Sequence, residues 1–169
     1  MNVSERLYSK LKSSGLDFFV SVPCKFLDGI ISILEKDKEV IYTPVTREEE
    51  GVGILAGAFL AGKRPALLMQ NSGLGNSINA ICSLLNYYEI PVVIVISHRG
   101  TAGEKIEAQL PMGKATVKLL EASGIPCREI KKSSEIQLVD ELINQGFSQN
   151  RTVALLFPQS FWAESGEGR

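Results

Sequence analysis

Residues 45–62 read VTREEEGVGILAGAFLAG, three acids followed by a run of small and apolar residues. Acids complement the positive end of a helix dipole, so the run predicts a helix that begins near residue 48. Each of its interior glycines costs about 1 kcal/mol relative to alanine. A helix that tolerates several of them indicates close packing against another backbone or against a bound group. An acid that faces such a contact is a candidate functional residue.

The length, composition and net charge of the chain are those of an ordinary single domain. The 169 residues are 44% hydrophobic and 22% charged with a net charge of -1, which gives no reason to expect nucleic acid or a membrane surface as a partner. The apolar run 90–96 is far shorter than the ~18 residues of a membrane span, and residues 1–6 lack the apolar core of a signal peptide. Three widely spaced cysteines favour a reducing compartment. We therefore expect a cytoplasmic protein.

The single histidine, His98, limits the chemistry. One histidine excludes an HExxH motif and a Cys-His zinc site, so no metal site of this chain is expected. A Ser-His-Asp triad could use only His98, and no GxSxG motif accompanies it. Catalysis would have to come from carboxylates or from a cofactor.

Strands alternate with helices along the chain. The apolar patterns predict strands at 18–22, 40–45, 66–69, 91–96, 127–130 and 152–157. Helices are predicted at 4–14, 26–34, 48–60, 78–85, 114–123 and 134–147. This order is typical of an α/β fold, a single domain over residues 1–163 with a mainly parallel six-stranded sheet flanked by helices. Residues 164–169 are predicted to be a disordered tail.

The polar segments follow the predicted strands. They are residues 23–25, 46–50, 70–76 and 97–113. In parallel sheets ligands bind beyond the carboxyl ends of the strands. This agreement indicates a domain that carries a binding site.

Each motif has an ordinary structural explanation beside the functional one. The glycine-rich segment 71–76 is typical of a phosphate cradle at a helix start, or of a tight structural turn. Arg99 could clamp an anion with two hydrogen bonds, or lie in an exposed loop. Lys25 is a candidate anion ligand or a solvated lysine, and Cys24 is a nucleophile or a small packed residue.

Taken together, these segments resemble the pyrimidine-binding domain of thiamine-diphosphate decarboxylases, in the group that contains phosphonopyruvate and sulfopyruvate decarboxylases. The resemblance covers about residues 4–160. The helix alone is moderately specific, and its spacing from the segment 70–76 makes the match strong. The residues that carry it are Pro23-Cys24-Lys25-Phe26-Leu27, the helix 48–57, Gln70 to Asn76, and Arg99-Gly100 with Gln109.

The resemblance implies which residues form the site. In this family one glutamate hydrogen-bonds N1′ of the cofactor's aminopyrimidine, and a glycine follows nine positions later. Gly57 fits Glu48, while Glu50 remains the alternative register. The other residues implied to border the cofactor are Pro23, Cys24, Asn71, Ser72 and Gly73. An anionic substrate needs cationic or N–H donors, for which the candidates are Lys25 and Arg99, and less strongly His98 and Gln109.

The resemblance also implies half of an active site. Family enzymes hold the diphosphate and Mg²⁺ with a second domain that carries Gly-Asp-Gly and a downstream asparagine, whereas this chain has only Leu27-Asp28-Gly29. We therefore expect a beta subunit to carry the diphosphate-binding domain and to supply the ligands of the diphosphate and the metal. The expected cofactors are thiamine diphosphate and Mg²⁺.

The implied reaction is that of a carboxy-lyase. It converts 3-sulfopyruvate to sulfoacetaldehyde and CO₂, a step of coenzyme M synthesis, within a hetero-oligomer. Phosphonopyruvate is the alternative substrate, because a phosphonate resembles a sulfonate in shape and differs in charge. A non-catalytic α/β module that binds an anion at residues 71–76 is the alternative of another class.

Overall fold

The computed structural model describes residues 1–164. Its strands are β1 (Phe18–Ser21), β2 (Ile41–Pro44), β3 (Pro65–Gln70), β4 (Val93–His98), β5 (Cys127–Glu129) and β6 (Val153–Pro158). Its α-helices are α1 (Val3–Ser13), α2 (Asp28–Leu34), α3 (Glu48–Leu60), α4 (Asn71–Ala80), α5 (Leu110–Ala122), α6 (Val139–Ser148) and α7 (Gln159–Ala163). Short 3-10 turns occupy Lys25–Leu27, Glu107–Gln109 and Ser133–Leu138, and a π-helical turn, Ile81–Asn86, continues α4.

The six strands form one sheet in the order β2-β1-β3-β4-β6-β5, and every pair is parallel. This confirms the α/β fold with a six-stranded parallel sheet. The central strands β3, β4 and β6 are almost entirely buried, as expected when helices cover both faces. Helices α1, α2, α6 and α7 pack on one face. Helices α3, α4 and α5 pack on the other, which therefore carries the acid-capped helix.

The start of α3 is fixed by Glu50. Its carboxylate accepts hydrogen bonds from the Thr46 hydroxyl at 2.8 Å and from the Arg47 amide at 3.2 Å. The Arg47 amide is the N-cap donor that a capping box pairs with the third helical residue. The helix therefore begins at Glu48, as the acidic turn predicts.

Only part of the small-residue helix packs closely within this chain. A Cβ placed on Gly51 would lie 2.9 Å from Val20 Cγ1 and 3.1 Å from Leu67 Cδ1, so α3 rests on the sheet at Gly51. Gly53 and Gly57 have no atoms within 4 Å of such a Cβ. The expected close contact is thus present at one glycine, while the other two face open space.

Two helices begin earlier than the sequence predicts. Helix α4 begins at Asn71 rather than residue 78, so the glycine-rich segment is its first turn and not a loop before it. None of its glycines has positive φ, so the glycines do not break the helix. Helix α5 begins at Leu110 rather than residue 114, with Pro111 in its first turn, where the missing N–H of proline costs nothing.

The predicted tail is described only at its first residue. The Glu164 carboxylate accepts the Ser133 amide at 2.9 Å. Residues 165–169 lie outside the described part of the chain. Within residues 1–164, no helix is long and apolar enough to cross a membrane.

The glycines of α3 allow a matched test of packing. We expect Gly53→Ala to raise the free energy of unfolding by about 0.5–1 kcal/mol, because alanine favours the helix and meets nothing. We expect Gly51→Ala to lower it by about 1–3 kcal/mol, because the added methyl group overpacks the contact with Val20 and Leu67. Urea unfolding measures both changes. Equal stabilisation by the two substitutions would contradict the packing of α3 on β1 and β3.

Candidate functional site

The polar segments meet at one edge of the sheet. Because all six strands are parallel, the residues that follow β1, β2, β3 and β4 lie at the same edge, which we call the carboxyl edge. The four polar segments picked out in the sequence begin there. Their side chains form two groups, one around Glu48 and one around Arg99.

Glu48 is a buried acid without a protein partner. It is 9% exposed, and its carboxylate packs against the first turn of α4 so closely that a Cβ on Gly73 would overlap Oε1. No hydrogen bond or ion pair holds this carboxylate within residues 1–164. Buried polar groups are almost always paired. A donor from outside the chain is therefore the natural partner of this carboxylate.

The two neighbouring acids each have a partner. Glu49 Oε1 pairs with Arg47 at 2.7 Å, while Glu49 Oε2 is buried without a hydrogen-bond partner among residues 1–164. Glu50 is exposed, and its hydrogen bond from the Thr46 hydroxyl, with those from backbone amides, holds the pKa of the Glu50 carboxyl below its ordinary value. Of the three acids only Glu48 points onto α4, which supports Glu48 over Glu50 as the cofactor-facing residue.

Both N–H donors of the Asn71 side chain are used within the chain. Its amide is fully buried, donates to Thr116 Oγ1 at 2.9 Å and to the Arg99 carbonyl at 3.1 Å, and accepts the Arg99 amide at 3.0 Å. These bonds join α4 to α5 and to the end of β4. The Asn71 side chain therefore positions the edge and has no donor left for a ligand.

A second polar chain runs along the same edge. Gln70 Nε2 donates to Ser72 Oγ at 2.8 Å and to Gln109 Oε1 at 3.1 Å. Ser72 is exposed, so its hydroxyl can still reach a ligand. Gln109, predicted from the resemblance, is thus brought beside the first turn of α4.

The main side-chain partner of Arg99 is Glu104, which the sequence did not single out. Nε donates to Glu104 Oε2 and Nη2 to Oε1, both at 2.7 Å, and the two side chains are 13% and 1% exposed. The amides of Gly100 and Ile106 also donate to the same carboxylate, at 3.1 and 3.0 Å. The hydrogen bonds from Arg99 lower the pKa of Glu104 from 4.5 to about 2.

The loop that carries this pair requires glycine. Gly100 has φ 75°, and a Cβ there would overlap the Gln109 carbonyl, so only glycine fits both conditions. The loop has neither helical nor strand periodicity. A buried acid five residues after an arginine therefore leaves no pattern in the sequence.

Other predicted residues have local partners. His98 is 4% exposed, with Nε2 3.1 Å from the Gly113 carbonyl and Nδ1 3.3 Å from Glu129 Oε1, so α5 and β5 enclose the ring. Cys24 Sγ lies 3.1 Å from Ser97 Oγ. Pro23 and Lys25 are exposed.

The Arg99 group is arranged for an anion. The guanidinium carbon lies 5.0 Å from the centre of the Phe26 ring, and the exposed Lys25 precedes Phe26 in the chain. No three His, Cys, Asp or Glu side chains in residues 1–164 are grouped so as to hold a metal. The carboxyl edge therefore offers the Glu48 carboxylate, which can pair with a ring nitrogen, and the cations Arg99 and Lys25, which can bind an anion.

Comparison with known proteins agrees with this geometry. Residues 1–125 match the family described as thiamine pyrophosphate enzyme, N-terminal TPP binding domain. A protein named sulfopyruvate decarboxylase subunit alpha, from Methanococcus maripaludis, is 48% identical over 96% of this chain and 98% of its own length. The chain belongs to this family of thiamine pyrophosphate enzymes. The family resemblance seen in the sequence is confirmed.

Two further comparisons are more distant. A phosphonopyruvate decarboxylase from Streptomyces viridochromogenes is 39% identical over 68% of this chain and 29% of its own length. The solved structure of 2-oxoglutarate:ferredoxin oxidoreductase from Magnetococcus marinus, with 2-oxoglutarate, coenzyme A and succinyl-CoA bound, superposes with TM-score 0.74 and 16% identity. The match covers 95% of this chain and 29% of that one. At that identity the likeness shows the fold alone.

The buried ion pair predicts a pH dependence of stability. Because the pKa of Glu104 is depressed in the folded chain, its contribution is complete above the unfolded value of about 4.3 and is lost as the pH falls toward 2. The shift corresponds to about 3 kcal/mol. We expect Glu104→Gln to be less stable than the wild type at about pH 6 and the difference to narrow by about pH 3.

Urea unfolding between about pH 3 and pH 6 measures the difference in the free energy of unfolding between the wild type and Glu104→Gln. Glu141→Gln is the matched control, since the Arg128–Glu141 pair has the same 2.7 Å separation but is exposed and therefore contributes little. Parallel stability curves for the wild type and Glu104→Gln would show that the Arg99–Glu104 pair is not coupled to folding.

Proposed function

We propose that this chain is the alpha subunit of a thiamine-diphosphate-dependent decarboxylase that converts 3-sulfopyruvate to sulfoacetaldehyde and CO₂, a step of coenzyme M synthesis. The observation that carries this proposal is the buried, unpartnered carboxylate of Glu48 against Gly73 in a chain of this family. The near full-length likeness to a relative named for sulfopyruvate favours that substrate. Phosphonopyruvate is the second candidate, supported by a likeness that covers a smaller share of the chain.

Glu48 is the residue that would pair with N1′ of the aminopyrimidine. Its protonated carboxyl would donate a proton to that ring nitrogen, the resulting carboxylate would accept the N1′–H hydrogen bond, and no described protein donor competes for it. Burial strengthens such a bond, because little water screens it. When bound, the cofactor supplies the carbon nucleophile and the electron sink for the loss of CO₂.

The first turn of α4 supports that carboxylate. Gly73 allows the acid to lie directly on the helix backbone, and Asn71 fixes the same turn to α5 and β4. Ser72 is exposed in the same turn, and by the family resemblance Pro23 and Cys24 would border the cofactor with it. These residues would orient the ring.

The substrate's sulfonate would bind to the cations of the same edge. Arg99 retains N–H groups that Glu104 does not use, and Lys25 is exposed beside Phe26. Such donors match the geometry and charge of a sulfonate. His98 is enclosed by α5 and β5 and is a weaker candidate for direct contact with the substrate.

The diphosphate and Mg²⁺ would be held by a partner beta subunit. The described residues contain no group of three metal-ligating side chains, and the relative is named as a subunit. Helix α3 presents an uncovered face of Gly53, Ile54, Gly57 and Leu60 beyond Glu48. That face allows another backbone to approach closely, so it is where we place the partner.

Reconstitution tests the function. We expect sulfoacetaldehyde and CO₂ only when this chain, its partner, thiamine diphosphate and Mg²⁺ are mixed, because each chain carries half of the site. The measurement is product formation by each chain alone and by the mixture. Turnover by this chain alone would overturn the role of the partner. A higher kcat/KM for phosphonopyruvate in the mixture would establish the alternative substrate.

The role of Glu48 has a direct measurement. Glu48→Gln preserves shape but cannot move a proton, so we expect proton–deuterium exchange at C2 of the cofactor in the complex to slow by ~10²–10⁴. Glu49→Gln and Glu50→Gln should change exchange little, since those acids face Arg47 and Thr46. Loss of exchange in the Glu50 variant with normal exchange in the Glu48 variant would show that the register is wrong.

Gly73→Ala reaches the same carboxylate without changing its charge. The added Cβ would overlap Glu48 Oε1, so we expect the acid to be displaced and C2 exchange to fall by ~10², the scale of a misplaced catalytic group. Gly75→Ala is the control, because its Cβ would meet only Met112 atoms at 3.8 and 3.9 Å. Similar exchange in both variants would argue against the close placement of Glu48 on α4.

A further inference from the structure

Glu104 occupies only one edge of the Arg99 guanidinium. Arginine has five N–H donors, and Glu104 takes one from Nε and one from Nη2. The remaining donors, both on Nη1 and one on Nη2, have no acceptor within residues 1–164. The outer edge of Arg99 is therefore available to a ligand.

That outer edge is held in a fixed orientation. The Asn71 side chain donates to the backbone carbonyl of Arg99 and accepts from its backbone amide. The Phe26 ring lies 5.0 Å from the guanidinium carbon. Glu104 is itself fixed by the amides of Gly100 and Ile106. A guanidinium restrained at both ends loses little entropy when a ligand binds.

The pair also sets the charge of the site. Glu104 is ionised at neutral pH, since its pKa is lowered to about 2, so the Arg99–Glu104 pair has no net charge. A sulfonate carries one negative charge, whereas a phosphonate, like a phosphate monoester, carries close to two near pH 7. A half-buried anion needs compensating charge. Lys25, which is exposed and follows β1 at the same edge of the sheet, carries one positive charge, which balances one negative charge but not two.

We propose that Glu104 is a specificity-determining residue, which directs the outer N–H edge of Arg99 to the substrate's sulfonate and, by cancelling one positive charge, disfavours the dianionic phosphonate. This inference rests on the proposed function and deepens it. Glu104 acts through Arg99 and does not itself touch the substrate. Hydrogen-bond geometry and charge are thus set by the same carboxylate, and two substitutions separate them.

The first substitution changes the charge. Glu104→Gln leaves the site one unit more positive, so we expect the ratio of kcat/KM for sulfopyruvate to that for phosphonopyruvate to fall tenfold or more in the reconstituted complex. A residue with only a structural role would lower both kcat/KM values together and leave their ratio unchanged. An unchanged ratio in an active Glu104→Gln complex therefore overturns the proposal.

The second substitution changes the geometry. Arg99→Lys keeps the net charge but commits its single ammonium group to Glu104, so we expect KM to rise tenfold or more for both substrates with their ratio within about twofold, tenfold being about 1.4 kcal/mol. Calorimetric titration of the cofactor-loaded complex with 3-sulfopropanoate, which lacks the keto group, should show the same loss of affinity. Unchanged KM and affinity overturn the role of Arg99, through which Glu104 is proposed to act, and so overturn the proposal even where Glu104→Gln does not assemble.

Glu141→Gln serves as the control. Glu141 forms an ion pair with Arg128 at the same 2.7 Å distance but on the surface, so the specificity ratio should stay at the wild-type value. A comparable fall of the ratio in this variant would assign the effect to overall charge and overturn the proposal. A wild-type complex that turns over neither substrate overturns the proposed function itself, which distinguishes the two failures.

Discussion

The hydrogen bonds of one buried amide hold the carboxyl edge together. Asn71 lies at the first residue of α4 and binds Thr116 of α5 and both backbone groups of Arg99, just past β4. Because three elements meet at this side chain, it sets where the first turn of α4 stands relative to the sheet. Gly73, two residues on, thereby receives the Glu48 carboxylate. Both groups of the site depend on the same amide.

Two buried glutamates at this edge have opposite environments. Glu104 receives four hydrogen bonds from Arg99 and two backbone amides, and its charge is fully compensated inside the chain. Glu48 receives none within residues 1–164. A compensated carboxylate stabilises the fold and orients its partner, while an uncompensated one is costly until a donor arrives. The difference separates an acid that orients another side chain from one that is open to a ligand.

The sequence predicts what is periodic or local. The strands, their parallel order in an α/β fold and the start of α3 follow from apolar patterning and from an acidic first turn, and they agree with the structure. The sequence predicts the start of α4 too late because glycines usually mark loops, whereas Gly73 is required by contact with Glu48 and not by its backbone angles. Glu104 gives no signal in the sequence, since its partners are set by a loop without periodicity. Contacts between segments that are distant in the sequence can therefore be identified only from the structure.

The incompleteness of the site has a physical counterpart in α3. On its inner side Gly51 brings the helix onto β1 and β3, while on its outer side Gly53 and Gly57 leave bare backbone beside exposed Ile54 and Leu60. Helix α3 therefore carries both an uncovered apolar strip and, at its start, a buried acid without a partner among the described residues. Under the proposed function, a partner that covers this strip would also complete the site in front of the acid. Association and completion of the site would then be one thermodynamic step, so neither chain would need to bind the whole cofactor by itself.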